Sequence, residues 1–162
     1  MKIINGTMAL GALLCLGMTG TALGQSSVED QVRQVIMDGN AYVQEHLQDQ
    51  ADTYSKDGAL EFWSSGGLLN EISGSGRGDQ YESFNATSKY IRVISLAGGQ
   101  VAVAMFYSEG SFKPKGYPAV DHYLTRVTQV FVKEDGKWKV RASHWSPVNG
   151  GSGTSQTAEM EE

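Results

Sequence analysis

Between Ser26 and Gln50, Val28, Val32, Val35, Ile36, Gly39, Tyr42, Val43, His46 and Leu47 fall on one stripe at helical spacing. Asp30, Gln31, Arg33, Gln34, Asp38, Gln44, Glu45 and Gln48 fall largely outside it. The pattern predicts one long amphipathic helix, opened by a capping box in which Ser26 is followed three residues later by Glu29. Gly39 sits on the apolar side, where a missing Cβ implies close approach of a sheet. Shorter signals follow. Ala51 to Asp57 reads as a short helical piece or turn, and Ala59 to Ser64 and Leu68 to Ile72 as two strands joined by Ser65-Gly66-Gly67. Ser73 to Asp79 is a glycine-rich loop without the Lys-Ser/Thr ending of a phosphate loop. Gln80 to Ala86 is expected to be a short helix or irregular.

The strand signal then dominates. Tyr90 to Leu96 alternates in part, and Ala97-Gly98-Gly99-Gln100 turns the chain. Val101 to Tyr107 reads VAVAMFY, a nearly unbroken apolar run expected of a central strand covered on both sides, continuing through Ser111-Phe112. The closing stretch, Val120 to Pro147, holds two long runs, Tyr123–Val132 and Trp138–Trp145, around Lys133-Glu134-Asp135-Gly136-Lys137. Asp-Gly between β-rich runs is a strong hairpin signal. Alternation puts Arg126, Thr128, Val130 and Val132 on one side of the first run, with Val127, Gln129, Phe131 and Lys133 on the other. In the second run it groups Trp138, Val140, Ala142, His144 and Ser146, the side suited to a core. Lys139, Arg141, Ser143 and Trp145 take the opposite side. The resulting order is a long helix, a small hairpin, a loop and four consecutive antiparallel strands. One helix covers one face of such a sheet, so the sheet is expected to curve round the helix and to meet a second subunit with its other face.

Composition changes this picture mainly at the ends. The length of 162 residues suits one domain, and the net charge of −5 comes without a basic patch, so nucleic acid is not an expected partner. Residues 1–24 read as a cleaved signal peptide: Lys2 is the positive region, Met8 to Met18 the apolar region, and Ala22-Leu23-Gly24 a small-residue cleavage site before Gln25. Cleavage removes Cys15, the only cysteine, and Lys2, taking the charge to −6. The mature chain then has no disulfide and no thiolate, and a periplasmic or secreted location is expected. Residues 25–148 form the domain. Residues 149–162 are rich in Gly, Ser, Thr and Glu and are expected to be a disordered acidic tail.

Arg126-Val127-Thr128-Gln129-Val130-Phe131-Val132, the turn Asp135-Gly136-Lys137-Trp138 and the closing His144-Trp145-Ser146 resemble the NTF2-like, or SnoaL-like, superfamily, with DUF4440-type and calmodulin-dependent kinase association-domain-like members nearest. Element order agrees over roughly Ser26 to Val148. The resemblance implies an α+β, cone-shaped fold, a long N-terminal helix packed in a strongly curved, mostly antiparallel sheet with a cavity at the open end. It also implies a homodimer through the outer sheet face. It does not select a chemistry, because the superfamily includes isomerases, dehydratases, cyclases, epoxide hydrolases and plain binding modules. The carboxylate, tyrosine and protonated acid of the steroid isomerases have no residue-by-residue counterparts here.

Candidate residues follow from strand faces and residue chemistry. His144, beside Trp138 and Val140, is a candidate general base or a structural histidine. Arg126 needs a carboxylate such as Glu61, Glu109 or Asp121, or an anionic ligand. Asp121 and His122 are adjacent and point to opposite faces, so they are no ready dyad; Asp121 and Tyr123 stand as further catalytic candidates with His144. Trp63, Tyr90, Met105, Tyr107, Arg126, Thr128 and His144 are the candidate ligand-binding set, with Phe131 as core or wall and Trp145 as a dimer-interface residue. The three histidines lack metal-ligand spacing, and no cofactor is expected. The reading is an exported domain binding a small hydrophobic or weakly acidic molecule, or an assembly domain. The alternative is a cofactor-independent isomerase, lyase or hydrolase with His144 as base.

Overall fold

The computed structural model describes residues 26–148; the signal-peptide and acidic-tail expectations lie outside the described residues. Helix α1 spans Val28–His46. Its cap is Ser27 rather than Ser26: the Ser27 hydroxyl accepts from the Asp30 N–H at 3.1 Å, and Glu29 and Asp30 complement the helix N-terminus. Leu47 closes the helix in the left-handed conformation, its N–H donating to the Val43 carbonyl. Seven strands follow: β1 Ala59–Phe62, β2 Asn70–Ile72, β3 Tyr81–Phe84, β4 Thr87–Leu96, β5 Val101–Pro114, β6 Val120–Glu134 and β7 Lys137–Pro147. Residues 80–86, expected to be helical or irregular, instead supply β3. Tyr81 and Phe84 pack against Phe112 with ring centroids 6.1 and 5.9 Å away. Residues 51–57 form turns, and Tyr54 makes a parallel bridge to Val140.

The strands form one sheet in the order β2-β1-β7-β6-β5, with the far edge of β5 shared by β4 and β3. The last four strands are antiparallel neighbours, as the sequence predicts. The expected cone is not formed. The sheet is mixed, because β1 runs parallel to β7, and it is neither closed nor strongly curled. Closure requires the two sheet edges to meet in register. Here one edge is the three-residue β2, and the other is β4 and β3; they do not pair. The register shifts at Tyr81/Ser83 in β3, Lys89/Arg92 in β4, Gly110/Phe112 in β5 and Val130/Phe131 between β6 and β7.

The core lies between α1 and the inner sheet face. Val32 and Ile36 meet Ala102, Ala104, Phe106, Val127, Phe131, Trp138 and Val140. β5 is therefore covered on one side only: Ala102, Ala104 and Phe106 are buried, whereas Met105 and Tyr107 are exposed. The continuous apolar run had suggested cover on both.

The irregularity between β6 and β7 decides which side chains reach the core. Phe131 stands opposite Val140 and Val130 opposite Ala142, so Arg141 is an extra residue on β7. One extra residue exchanges the two faces of a strand beyond it. Trp138 and Val140 are inward before it; Ser143 and Trp145 are inward after it. Strict alternation had put His144 inward and Trp145 outward, and both placements are reversed.

Candidate functional site

A cavity of about 170 Å³ lies between α1 and the inner sheet face. The helix stripe lines one wall with Val35, Ile36, Gly39 and Val43; Phe106, Phe131, Val140 and Trp145 line the other. Gly39 opens this space: a Cβ built there meets nothing within 4 Å, so the glycine faces the cavity and not a tightly approaching strand. Asn40 and Ser88, joined by a 2.8 Å hydrogen bond from the Asn40 amide, tie the helix to β4 at its edge. Gln129 lines the sheet side.

One end of the cavity is polar, with Asp49, Tyr54 and Arg77 in its lining. Behind them is Glu61, only 2% exposed. The parallel pairing of β1 with β7 sets Glu61 beside Ser143, whose hydroxyl donates to Oε1 at 2.5 Å. Tyr54 donates its hydroxyl to the same oxygen at 3.3 Å, and Trp63 donates Nε1–H to Oε2 at 3.0 Å. Arg77 adds a 3.4 Å contact to Oε2, with its guanidinium 5.6 Å from the centre of the Trp63 ring. Trp145 donates Nε1–H to the Ser143 hydroxyl at 3.2 Å. A carboxylate this deep requires such donors, since burial of an unpaired charge is costly.

Asp49 is held differently. Its Oδ1 accepts from the Tyr81 hydroxyl at 3.2 Å, while Oδ2 is buried without a hydrogen bond and lies 3.5 Å from Arg77 Nε. Burial raises the Asp49 carboxyl above the ordinary aspartate range; Arg77 opposes the shift and Asp79 adds to it. Burial also pushes the Tyr54 hydroxyl far up, keeping it a donor to Glu61.

A second, open cleft of about 550 Å³ lies over Asp52, Lys56, Glu134, Lys137 and Lys139. Several of its charged groups are already engaged: Lys139 pairs with Asp52 at 2.7 Å, and Glu134 accepts from the Ser55 hydroxyl at 2.6 Å and the Lys56 N–H at 3.1 Å. Its lining is mostly charged and polar, whereas the smaller cavity has an apolar wall, so the smaller cavity is the better candidate.

The expected site residues are placed as follows. His144 is exposed on the outer face, opposite Thr128, with its ring 5.6 Å from Phe62. Met105 stands next along the same rung, and Tyr107 and Arg126 occupy the following one. Tyr90, in the left-handed region with φ of 55° at the β4 irregularity, packs edge-on against Tyr107 on that outer side. Arg126 is exposed and donates to the Pro147 carbonyl at 3.1 Å, not to a carboxylate. Asp121 is exposed; Tyr123 is half-buried, 3.2 Å from the Ser64 hydroxyl and packed on Phe112. Asp121, Tyr123 and His144 are therefore absent from the cavity lining, as are the six outer-face candidates. Trp63 alone of the expected ligand-binding set touches its polar end, through Glu61 and Arg77. Trp145, expected at an interface, lines the cavity.

The residues that sequence reasoning missed are Asp49, Tyr54, Arg77 and Ser143, with Glu61 considered only as a partner for Arg126 or His144. A signal existed in Ala59-Leu60-Glu61-Phe62: alternation makes either the Leu60/Phe62 side or the Ala59/Glu61 side inward, and hydrophobicity favours the wrong one. Among the described residues, no three of His, Cys, Asp or Glu are grouped to hold a metal.

No family model matches the chain, and no curated protein does so either. Solved structures do. An NTF2-like protein of unknown function from Prochlorococcus sp. NATL2A is 21% identical, with 78% of this chain and 97% of that one covered and a TM-score of 0.53. An NTF2-like protein of unknown function from Pseudomonas putida KT2440 is 15% identical over 83% and 96%, with a TM-score of 0.53. A protein from Novosphingobium aromaticivorans, whose suggested activity is aromatic ring hydroxylation, is 18% identical over 80% and 96%, with a TM-score of 0.56. The fold is thus NTF2-like, an α+β domain with one N-terminal helix on a mixed sheet.

Proposed function

We propose that this chain is a small-molecule-binding domain whose site is the cavity between α1 and the inner sheet face. The observation that carries the reading is the pairing of an apolar wall with a polar end, Asp49, Tyr54 and Arg77, in one cavity. Gly39 provides the test. It has helical backbone and an open Cβ direction, so Gly39→Leu fills the cavity without meeting backbone and improves helix propensity by about 0.5–1 kcal/mol. Native mass spectrometry of the protein isolated from its own compartment is expected to show a non-covalent small mass that Gly39→Leu loses. Retention of that mass by the variant places the site elsewhere.

The general-base role for His144 required that residue in the cavity; its outer-face position removes that support. Within the superfamily, the Asp135-Gly136-Lys137-Trp138 turn and the His144-Trp145-Ser146 ending favour a DUF4440-type or calmodulin-dependent kinase association-domain-like member. The leader-like residues 1–24 favour export to the periplasm or the medium.

A homodimer through the outer face belongs to the same proposal. Leu60, Ala142, Val130, Val103 and Ile94 lie along one rung of that face, and Phe62, His144, Thr128 and Met105 along the next. Leu60, Phe62, Ile94 and Met105 are each more than 40% exposed, an apolar surface of the kind that marks an interface. Ile94→Glu with Met105→Glu is expected to convert a dimer to a monomer in sedimentation equilibrium, with an unchanged circular dichroism spectrum. A wild-type monomer at micromolar concentration counts against the dimer.

A further inference from the structure

The charge of the occupant can be read from the polar end. Arg77 is the only Lys or Arg among the described residues that line the cavity, and three carboxylates lie close to it, of which Asp49 alone is in the lining. Asp79 Oδ2 lies 3.3 Å and Asp49 Oδ2 3.5 Å from its Nε, and Glu61 Oε2 lies 3.4 Å from its terminal nitrogen. One guanidinium against three carboxylates leaves a surplus of negative charge. Donors and acceptors are equally unbalanced. Glu61 already accepts from Tyr54, Trp63 and Ser143, and the Arg77 guanidinium is directed at carboxylates. Asp49 Oδ2 is buried beside Arg77 Nε, and Oδ1, the oxygen left to the accessible part of the side chain, accepts one hydroxyl. The spare capacity is for a donor.

The walls point the same way. Tyr54, Phe106, Phe131 and Trp145 line this cavity, and aromatic ring faces attract cations most strongly where water is excluded. An anionic ligand would face Asp49, with Glu61 and Asp79 beyond the lining, and find its one cationic partner engaged. Size narrows the class further. An apolar cavity of about 150 Å³ holds benzene. A space of about 170 Å³ therefore suits a single ring or a short chain with one polar group.

Resting on the small-molecule reading above, we propose that the occupant is a small primary amine, its ammonium group set at Asp49 and its apolar body against the aromatic wall. The proposal differs from the small hydrophobic or weakly acidic molecule expected from the sequence.

The test is a ligand-observed NMR titration of the full chain at neutral pH with three probes of one shape: benzylamine, benzyl alcohol and benzoate. Benzylamine is expected to bind about tenfold tighter than the alcohol, and benzoate to bind more weakly than both. Asp49→Asn keeps an acceptor for Tyr81 and removes the charge; it is expected to cost benzylamine about tenfold and the alcohol no more than about twofold. Asp49→Glu should restore the preference for the amine. Benzoate or alcohol binding as tightly as the amine overturns the amine assignment and leaves the cavity reading standing. So does an amine preference that survives Asp49→Asn. Failure of all three probes, or binding undiminished by Gly39→Leu, removes the cavity reading and the amine assignment with it.

Discussion

Glu61→Ala is expected to lower folding stability by about 3–5 kcal/mol. The carboxylate is 2% exposed and is the shared acceptor for Tyr54, Ser143, Trp63 and Arg77. Its removal leaves two hydroxyls and an indole N–H without that partner, each worth about 1–3 kcal/mol when stranded in the interior. Arg77 is less affected, because Asp49 and Asp79 remain beside it and about a quarter of its side chain is accessible. Glu61→Gln keeps an acceptor oxygen and the shape while deleting the charge, so its cost is expected to be smaller than that of the alanine variant. Urea denaturation of the three proteins checks both. Equal midpoints for wild type and Glu61→Ala would mean that the network contributes nothing to folding.

Phe131→Ala is expected to cost a similar amount, about 3–5 kcal/mol, for an apolar reason. Phe131 is 1% exposed and pairs across the sheet with Ala102 on one side and Val140 on the other. Ala102 has no side chain able to swing into the vacated space, and relaxation elsewhere requires α1 to move. Poor relaxation puts the cost toward the upper part of the range. Because Phe131 also lines the cavity, the same variant enlarges it. Chemical denaturation should show the loss of stability, while Val103→Ala, a smaller truncation on the partly exposed face of β5, should cost well under half as much. Comparable losses at the two positions would contradict the placement of the core on the inner face.

The element order was legible because each signal was local. A helical stripe from Val28 to Leu47, an Asp135-Gly136 turn between β-rich runs and glycine turns around β4 and β5 do not depend on distant partners. The candidate site was much less legible. Six of the expected ligand-binding residues share the outer face because Leu60, Phe62, Ile94 and Met105 make that side as apolar as a core-facing one. Hydrophobicity alone cannot tell a face covered by a helix from one left open. The misplacement of His144 and Trp145 has a sharper cause, the extra residue at Arg141. Alternation is a counting rule, and one uncounted residue inverts every assignment beyond it.

By itself the sequence determined the α+β class, with an N-terminal amphipathic helix and a long C-terminal hairpin at the centre of the sheet. Tertiary structure decided the rest. The parallel contact of β1 with β7 brings Glu61 to Ser143 across 82 positions of sequence, and the loop before β3 delivers Arg77 to both Glu61 and Asp49. The edges that fail to meet leave the sheet open rather than coned. Each of these depends on which chain segments become neighbours. Local propensity acts over a few residues, whereas a buried charge network is selected only when distant donors and acceptors arrive at the same place.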